Sequence, residues 1–398
     1  MQLATGYWQE LEKKYYMRTF NRLPLVLVRG EGMRVWDEQG KSYLDMVAGL
    51  AVNVLGHCHP VVVDAITRQA HQLIHTTNLY YTTPQLELAK LLIENTCADR
   101  IFFANSGAEA NEGALKLARK WGHQHRDGAF EVITAVNSFH GRTLATLAAT
   151  GQPKYHKPFA PMPEGFISSV PFNDLDALKA ATRPQTCAVM LEVVQGESGV
   201  HLANHDYLVG VREWCDQQGL LLIFDEIQAG LGRTGKFMSF EHHEIEPDVF
   251  TLAKGLAGGV PIGAFLAKES ASVLTAGDHG STFGGGPLAC AAGVATISTI
   301  LQEDLAGHSA EMGAYIVGKL RDVQSRHDVI ETVRGLGLMV AFDLKSESAG
   351  QVVMEGLKRG LILNNTGPKT IRMVPPLITQ KADVDEAVET IEAILAGL

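Results

Sequence analysis

Short apolar runs alternate, from about residue 100 to 270, with stretches whose apolar residues recur at helical spacing. Runs of this length are typical of buried strands rather than of helices. Five strands are predicted: Ile101–Ala104, Val132–Val136, Ala188–Glu192, Leu220–Asp225 and Ile262–Ala267. Strands that alternate with helices indicate an α/β domain with a mostly parallel sheet.

One intervening helix can be bounded from the sequence. The segment Asp206–Gln218 carries apolar residues at helical spacing, with Asn204 or Asp206 as its cap and Gly219 at its end. Ligands on parallel sheets bind outside the carboxyl ends of the strands. Candidate chemistry is therefore expected where these predicted strands end.

The two ends of the chain have a different pattern. Residues 25–45 contain short apolar runs around glycine-containing turns, which predicts short strands. Residues 330–398 predict a mixed α+β unit that is closed by a helix from about Ala382. A boundary falls near residues 300–330, and the pattern alone leaves open whether the two ends pack together.

Composition narrows the class of protein. Of 398 residues, 46% are apolar and 20% are charged, which is typical of a globular protein. The net charge of −10 argues against a nucleic-acid partner or an anionic membrane surface. The five cysteines are scattered without a CxxC pair, and the first residues lack the apolar core of a signal peptide. We expect a cytoplasmic protein with no membrane span.

The first candidate site is the segment 105–112, which follows the strand Ile101–Ala104 and opens a helix. Free backbone N–H groups at a helix N-terminus bind anions. Ser106 adds a hydroxyl group, and Gly107 and Ala108 let a phosphate approach the backbone. The alternative is an ordinary helix cap, whose acidic residues offset the helix dipole.

A second candidate, the glycine-rich segment 230–237, contains G-x-G-x-x-G and almost a Walker A motif. Walker A requires Ser or Thr after the lysine, and Phe237 stands there. The segment neither starts at a strand end nor runs into a clear helix. A structural turn is therefore favoured over nucleotide binding.

Two charged residues stand out against apolar surroundings. Asp225 ends a buried strand and would point into the ligand crevice, unless it is a solvated strand terminus. Lys254 is the one charged residue from Val249 to Ala267. Such a lysine either reaches solvent or is desolvated, and a desolvated neutral amine is a nucleophile for carbonyls. The histidine clusters lack zinc spacing, so no metal site is predicted.

Together, a phosphate cup, a carboxylate at a strand end and a desolvated lysine have one economical explanation, pyridoxal phosphate. The lysine forms a Schiff base, and the carboxylate keeps the pyridine nitrogen protonated so that the ring withdraws electrons. The cup holds the phosphate. Phe139, after the strand Val132–Val136, could cover the face of the ring.

The chain resembles the class III (ω-type) pyridoxal-phosphate aminotransferases of fold type I, from about Asn21 to Pro376. The matching blocks are GLAVNVLGHCHP (49–60), NLYYTTPQ (78–85), FFANSGAEANEGALKLAR (102–119), SFHGRT (138–143), LEVVQGESGV (191–200), LLIFDEIQAGLGRTGK (221–236), TLAKGLAGGVPIGA (251–264), HGSTFGGGPLA (279–289) and IRMVPPL (371–377).

The resemblance implies an α/β fold with a large cofactor-binding domain and a smaller α+β domain built from both chain ends. It places the large domain at residues 51–300 and the small domain at 301–398, with residues 1–50 packing against the small domain. It also implies a homodimer with active sites at the interface.

Carried over by position, the resemblance implies roles at the cofactor. Lys254 would be the Schiff-base lysine and proton shuttle, Asp225 would pair with the pyridine nitrogen, and Gln228 would contact the phenolic oxygen. The other implied cofactor contacts are Ser106, Gly107 and Ala108 for the phosphate, Phe139 for the ring face, and Thr282 for the phosphate of the neighbouring subunit's cofactor.

The resemblance also implies substrate contacts. Arg142 and Arg372 would bind carboxylates, and two guanidinium forks suit the dicarboxylates glutamate and 2-oxoglutarate. Glu197 would be a gate that pairs with Arg372 when the distal-amine substrate is bound, and Ser281 would lie near the substrate.

Three positions depart from the family pattern. Gly286 stands where Asn is usual, Val193 where Pro is usual, and Ser198 where Gly or Ala is usual. None of them is a catalytic position, although Val193 and Ser198 flank Glu197.

The implied activity transfers the side-chain amine of N2-acetyl-L-ornithine to 2-oxoglutarate, in arginine biosynthesis, and the NLYY block favours this branch of the family. Alternative substrates are succinylornithine, ornithine, 4-aminobutyrate and an acyl-lysine intermediate. Alternatives of other kinds are an aminomutase, a non-catalytic binding protein on the same fold, and a nucleotide-binding protein.

Overall fold

The computed structural model describes residues 5–398, so that the first four residues of the N-terminal segment lie outside the described residues. Its strands are β1 Leu27–Glu31, β2 Arg34–Asp37, β3 Ser42–Asp45, β4 Arg100–Ala104, β5 Glu131–Ala135, β6 Phe166–Val170, β7 Thr186–Leu191, β8 Val194–Gln195, β9 His201–Leu202, β10 Leu221–Asp225, β11 Val249–Leu252, β12 Gly263–Ala267, β13 Ile330–Leu336, β14 Met339–Leu344, β15 Leu361–Ile362, β16 Asn364–Asn365 and β17 Thr370–Met373.

The α-helices are α1 Thr5–Tyr15, α2 Ala48–Ala51, α3 Pro60–Gln72, α4 Thr83–Glu94, α5 Gly107–His125, α6 Leu144–Ala149, α7 Pro153–His156, α8 Leu175–Ala181, α9 His205–Gln218, α10 Pro287–Gln302, α11 Leu305–Arg326, α12 Ala349–Lys358 and α13 Lys381–Leu395. Short 3₁₀ turns lie at Lys157–Phe159, Ser239–His243, Lys254–Ala257 and Glu269–Ala271.

A seven-stranded sheet forms the centre, in the order β4-β12-β11-β10-β7-β5-β6. All neighbours are parallel except at β12, which is antiparallel to both β4 and β11. The prediction of a mostly parallel sheet is therefore confirmed. Each predicted strand is also present, within two residues of its expected bounds. Every residue of β7 and β10 is buried, which explains their continuous apolar runs.

Two strands of this sheet were not predicted. The sequence of β6, FISSV, lacks a continuous apolar run, and β6 is an edge strand. β11 has only four residues and merges in the sequence with the apolar segment around Lys254. The helix α9 was predicted correctly, and Gly219 ends it in the left-handed conformation with φ 59°.

The two chain ends meet in a second sheet of order β1-β2-β3-β15, in which Leu44 of β3 pairs in parallel with Leu361 of β15. A third, antiparallel sheet has the order β13-β14-β17-β16, and α11 packs against β13 and β14. The domain boundaries at residues 50 and 300 stay a prediction. The helix predicted from about Ala382 begins at Lys381.

None of the helices in residues 5–398 combines the length and the apolarity that crossing a bilayer requires. Over the same residues, no three His, Cys, Asp or Glu side chains are arranged to hold a metal ion.

Candidate active site

The carboxyl ends of β4 and β10 open onto a cavity of about 380 Å³. Most of the predicted site residues line it, although they are far apart in the sequence. They are Ser106, Gly107, Ala108, Phe139, Arg142, Glu197, Asp225, Gln228 and Lys254.

The cup at this cavity is the N-terminus of α5. Ser106 caps the helix, because its hydroxyl accepts a hydrogen bond from the backbone N–H of Glu109 at 3.2 Å. Gly107 packs so closely on Ile227 that a Cβ atom would lie 2.8 Å from its side chain. The segment is thus a capped helix, and its N-terminus, where backbone N–H groups favour an anion, faces the cavity.

The carboxylate of Asp225 is 4% exposed, so the alternative of a solvated strand terminus is wrong. It accepts hydrogen bonds from Asn111 Nδ2 at 2.8 Å, from His140 Nδ1 at 2.8 Å and from the backbone N–H of Ile227 at 3.1 Å. Thr251 Oγ1 donates to Asn111 Oδ1 at 2.7 Å and so orients the amide. Asp225 is therefore fixed from three sides.

Sequence reasoning missed Asn111, His140 and Glu192. Buried His140 uses Nδ1 on Asp225, whereas its Nε2 has no partner among the described residues. Glu192 accepts the backbone N–H of Phe139 at 3.1 Å, and burial, together with nearby Asp225, raises the pKa of Glu192 well above its ordinary value. A signal was available for Glu192, which ends a predicted strand as Asp225 does.

Lys254 follows β11 with φ 39°, a left-handed conformation that is uncommon for lysine. The pKa of the Lys254 amine is lowered to about 8, mainly because the amine is removed from water. The charge of Arg372 lowers this pKa further, whereas nearby carboxylates, Asp225 first among them, raise it. Within the described chain the amine makes no hydrogen bond or salt bridge. It is thus available to react with a carbonyl.

Two arginines belong to the predicted site, of which Arg142 lines the cavity, whereas Arg372 reaches it through Glu197, which lines it. Arg372 is 1% exposed, and its Nη1 lies 3.1 Å from Glu197 Oε2, so the pair implied by the resemblance is formed. Asn364 Oδ1 accepts a further bond from Arg372 Nη2 at 2.7 Å. Arg142 is exposed, and its guanidinium lies 4.0 Å from the centre of the Tyr155 ring. Arg142 is therefore held by an aromatic face rather than by an anion.

Ser281 and Thr282 do not line this cavity. Ser281 Oγ accepts a hydrogen bond from Asn105 Nδ2 at 3.1 Å, and Asn105 does line the cavity. Thr282 lies with Tyr80 in a separate small cleft. In one chain, Thr282 is thus apart from the other predicted cofactor contacts.

The segment 230–237 forms a turn with left-handed φ values at Leu231, Gly232 and Gly235, and no α-helix follows it directly. Arg233 within it is 1% exposed and donates through Nη1 to the carbonyl oxygens of Leu338 and Pro375. The predicted turn is present, and its buried arginine was not foreseen.

Known proteins resemble this chain along nearly its whole length. The family Aminotransferase class-III matches residues 15–395. The acetylornithine aminotransferase of Caldanaerobacter subterraneus subsp. tengcongensis is 50% identical over 388 residues, covering 97% of this chain and 98% of that protein. The acetylornithine aminotransferase of Methanocaldococcus jannaschii is 50% identical over 394 residues, covering 98% of both.

Solved structures agree with this likeness. The ornithine aminotransferase of Toxoplasma gondii ME49 superposes with a TM-score of 0.95 at 33% identity, covering 99% of this chain and 96% of that one. The N-acetylornithine aminotransferase of Stenotrophomonas maltophilia K279a superposes with a TM-score of 0.84 at 36% identity, covering 98% of both chains.

Proposed function

Because the chain belongs to the class III aminotransferases, we propose that it transfers the side-chain amine of N2-acetyl-L-ornithine to 2-oxoglutarate. The products are N-acetyl-L-glutamate 5-semialdehyde and L-glutamate, in arginine biosynthesis. One observation carries the proposal. A single cavity joins a reactive lysine, a fixed carboxylate and an anion-binding helix N-terminus, and a Glu–Arg pair stands at its edge.

Pyridoxal phosphate is the cofactor of this family, and the cavity fits it. The unpartnered amine of Lys254 suits its aldehyde, and the close-packed turn at Gly107 suits its phosphate. When bound, pyridoxal phosphate accepts the amine at its aldehyde and withdraws electrons into its ring from the substrate carbon.

Each residue at the cofactor has a proposed task. Lys254 holds the cofactor in the resting enzyme, and its neutral amine then moves a proton at the substrate carbon that bears the amine. Asp225, fixed by its three donors, stabilises a proton on the ring nitrogen. The remaining assignments are Ser106, Gly107 and Ala108 to the phosphate, Phe139 to the ring face and Gln228 to the phenolic oxygen.

The Arg372–Glu197 pair accounts for the use of two different substrates. Acetylornithine has one carboxylate, which we assign to Arg142. A bare Arg372 would then be a buried cation facing a neutral part of the substrate, and Glu197 removes that penalty. With 2-oxoglutarate or glutamate, the second carboxylate displaces Glu197 and binds Arg372 as a bidentate pair.

We further propose a cytoplasmic homodimer whose active sites lie at the interface. Thr282 is set apart from its own cavity, and large apolar side chains near it are exposed, with Tyr81 at 93% and Phe283 at 66%. Asn78 binds the carbonyl oxygens of Ser281 and Gly284, which joins the two exposed loops. A second copy would cover this surface and receive Thr282 at its cofactor phosphate.

The test is a substrate panel with purified holoenzyme. We expect 2-oxoglutarate-dependent loss of N2-acetyl-L-ornithine, with higher kcat/KM than for succinylornithine, ornithine, 4-aminobutyrate or an acetyl-lysine-type amine. Ornithine is the main competitor, since ornithine aminotransferases share the fold. Preference for another amine would refute the substrate, and turnover without 2-oxoglutarate would indicate an aminomutase.

The catalytic assignment has its own control. Lys254→Ala is expected to abolish transamination, whereas Lys358→Ala, at an exposed lysine on α12, should leave it unchanged. Near-normal activity of Lys254→Ala would refute the mechanism. Light scattering tests the dimer, and a monomer with full activity would refute it.

A further inference from the structure

The loop that carries Glu197 connects β8 to β9 and has an unusual backbone. Gly199 has φ 123° and Val200 has φ 60°. A β-branched residue rarely occupies the left-handed region, so other contacts must hold this conformation in place. Both residues are buried, which locates those contacts inside the protein.

Arg334 of β13 supplies these contacts. Its Nε and Nη2 donate to the carbonyl oxygen of Gly199 at 2.9 and 2.7 Å, and Nε also donates to that of Val200 at 3.1 Å. On the other side, Nη1 and Nη2 bind the two carboxylate oxygens of Asp343 at 2.5 and 3.0 Å. A planar guanidinium suits such a two-sided contact, and a lysine does not.

Asp343 in turn is tied to the strand that carries Arg372. Thr370 of β17 donates to Asp343 Oδ1 at 2.6 Å, and Thr332 donates to Oδ2 at 2.8 Å. Burial raises the pKa of Asp343, but the bonds from Arg334, Thr370 and Thr332 together lower it to about 2. The carboxylate therefore stays charged, and the contact persists, over the whole neutral pH range.

The opposite end of the loop is bound to the same strand. Arg372 Nη1 donates to the carbonyl oxygen of Gly196 at 2.9 Å. Between these two anchors the Glu197 side chain is 34% exposed, whereas that of Arg372 is 2% exposed. The backbone is thus held on both sides of Glu197, while the side chain itself is held by its contact with Arg372.

We propose that Arg334 is a positioning residue for substrate selection, which rests on the proposed role of Glu197. It holds the loop in register with β17, so that Glu197 pairs with Arg372 or releases it by rotation of its side chain alone. Without Arg334, the strained backbone at Val200 relaxes and Glu197 loses its register with Arg372. The half-reaction with acetylornithine, in which Glu197 stays paired with Arg372, then slows more than the half-reaction with glutamate, whose carboxylate displaces Glu197.

The experiment compares Arg334→Met with the native holoenzyme in two single-turnover half-reactions. With N2-acetyl-L-ornithine we expect a loss in kcat/KM of about tenfold or more, since charge-assisted hydrogen bonds are removed. With L-glutamate we expect a loss below about threefold. Arg334→Lys, which keeps the charge without the fork, should change the ratio in the same direction and replaces Arg334→Met if that variant does not fold.

The control is Arg326→Met, which removes an exposed arginine paired with Glu392 elsewhere in the same region of the fold, and which should alter neither half-reaction. Equal losses in both half-reactions, or none, would overturn the proposal. If native enzyme prefers another amine, the proposed substrate fails, and the same ratio is measured with that amine.

A measurement that does not depend on enzymatic activity, amide hydrogen exchange, completes the test. In cofactor-free protein, Arg334→Met should accelerate amide hydrogen exchange in residues 194–202 and leave residues 221–225 of β10 unchanged. Unaltered exchange in the loop would overturn the proposal even if transamination is established.

Discussion

Replacement of Arg372 by methionine is expected to raise the pKa of the Lys254 amine. Burial is the main reason for the low pKa of Lys254, and the positive charge of Arg372 lowers it further. The carboxylates of Asp225, Glu197 and Glu192 act in the opposite direction. Without the guanidinium of Arg372, only burial opposes protonation of Lys254, while the carboxylates still favour it. The protonated amine therefore becomes more stable and its pKa rises.

The size of the effect follows from the pKa of about 8. At about pH 7.5 such an amine is about one-quarter neutral, whereas a lysine with an ordinary pKa of about 10.4 is about 0.1% neutral. A rise to about 9, a modest change for the loss of one nearby charge, would reduce the neutral fraction to about 3%. The variant should therefore react with aldehydes about eightfold more slowly at this pH.

The assay is competitive labelling of cofactor-free protein with a trace of acetic anhydride over a range of pH, with the Lys254 peptide quantified by mass spectrometry. The midpoint of labelling against pH reports the pKa of this one amine. Glu197→Gln is the matched variant, because it removes a carboxylate and should move the midpoint downwards.

Two results would refute the reasoning. A native midpoint near 10.5 would show that the site does not lower the pKa of Lys254. An unchanged or lower midpoint in Arg372→Met would show that the charge of Arg372 does not lower the pKa of Lys254.

Three further substitutions give measurable effects. Tyr155→Leu removes the ring beneath Arg142 and should raise KM for 2-oxoglutarate about fivefold, since such a contact contributes about 1 kcal/mol. Burial raises the pKa of Glu226 to about 7, so native stability falls as pH rises from 4.5 through 7. Glu226→Gln should remove most of this pH dependence, roughly 3 kcal/mol by urea unfolding. Gly263→Ala would place a Cβ atom 2.2 Å from the carbonyl oxygen of Ser106 and should weaken pyridoxal phosphate binding about tenfold or more in a fluorescence titration.

Two of these substitutions have a matched control. Tyr155→Phe keeps the ring and should preserve KM, whereas an unchanged KM in Tyr155→Leu would show that Arg142 needs no support. Gly318→Ala adds a methyl group in open space on α11 and should leave cofactor affinity unchanged. Native affinity in Gly263→Ala, or native pH dependence in Glu226→Gln, would contradict the corresponding argument.

The predictable part of the fold is the part with a local signal. β7 and β10 are buried along their whole length, so their apolar runs stand out in the sequence. The pairing of β3 with β15 joins residues 44 and 361, and no local pattern encodes so distant a partner. Only the family resemblance suggested that the chain ends pack together.

The candidate site divides in the same way. Lys254 and Asp225 are charges set in apolar sequence, and such positions are visible without a structure. Asn111 lies in the first candidate segment but received no role, because its contact with Asp225 exists only where β10 and α5 pack together. Residues that act through another residue therefore escape sequence reasoning even when they touch the centre of the site.

Arg334 and Arg233 show why some of the contacts that hold the site together leave no trace in the sequence. Arg334 and Arg372 donate from the sheet of β13, β14, β17 and β16 to carbonyl oxygens of the Glu197 loop. Arg233 donates the other way, from its turn after β10 to the carbonyl oxygens of Leu338 and Pro375. Every residue has a carbonyl oxygen, so these bonds require no particular residue type at the acceptor. An arginine that donates to backbone carbonyl oxygens therefore looks like an ordinary surface charge in the sequence, and only the folded chain reveals that Arg334 and Arg233 hold loops of the site in place.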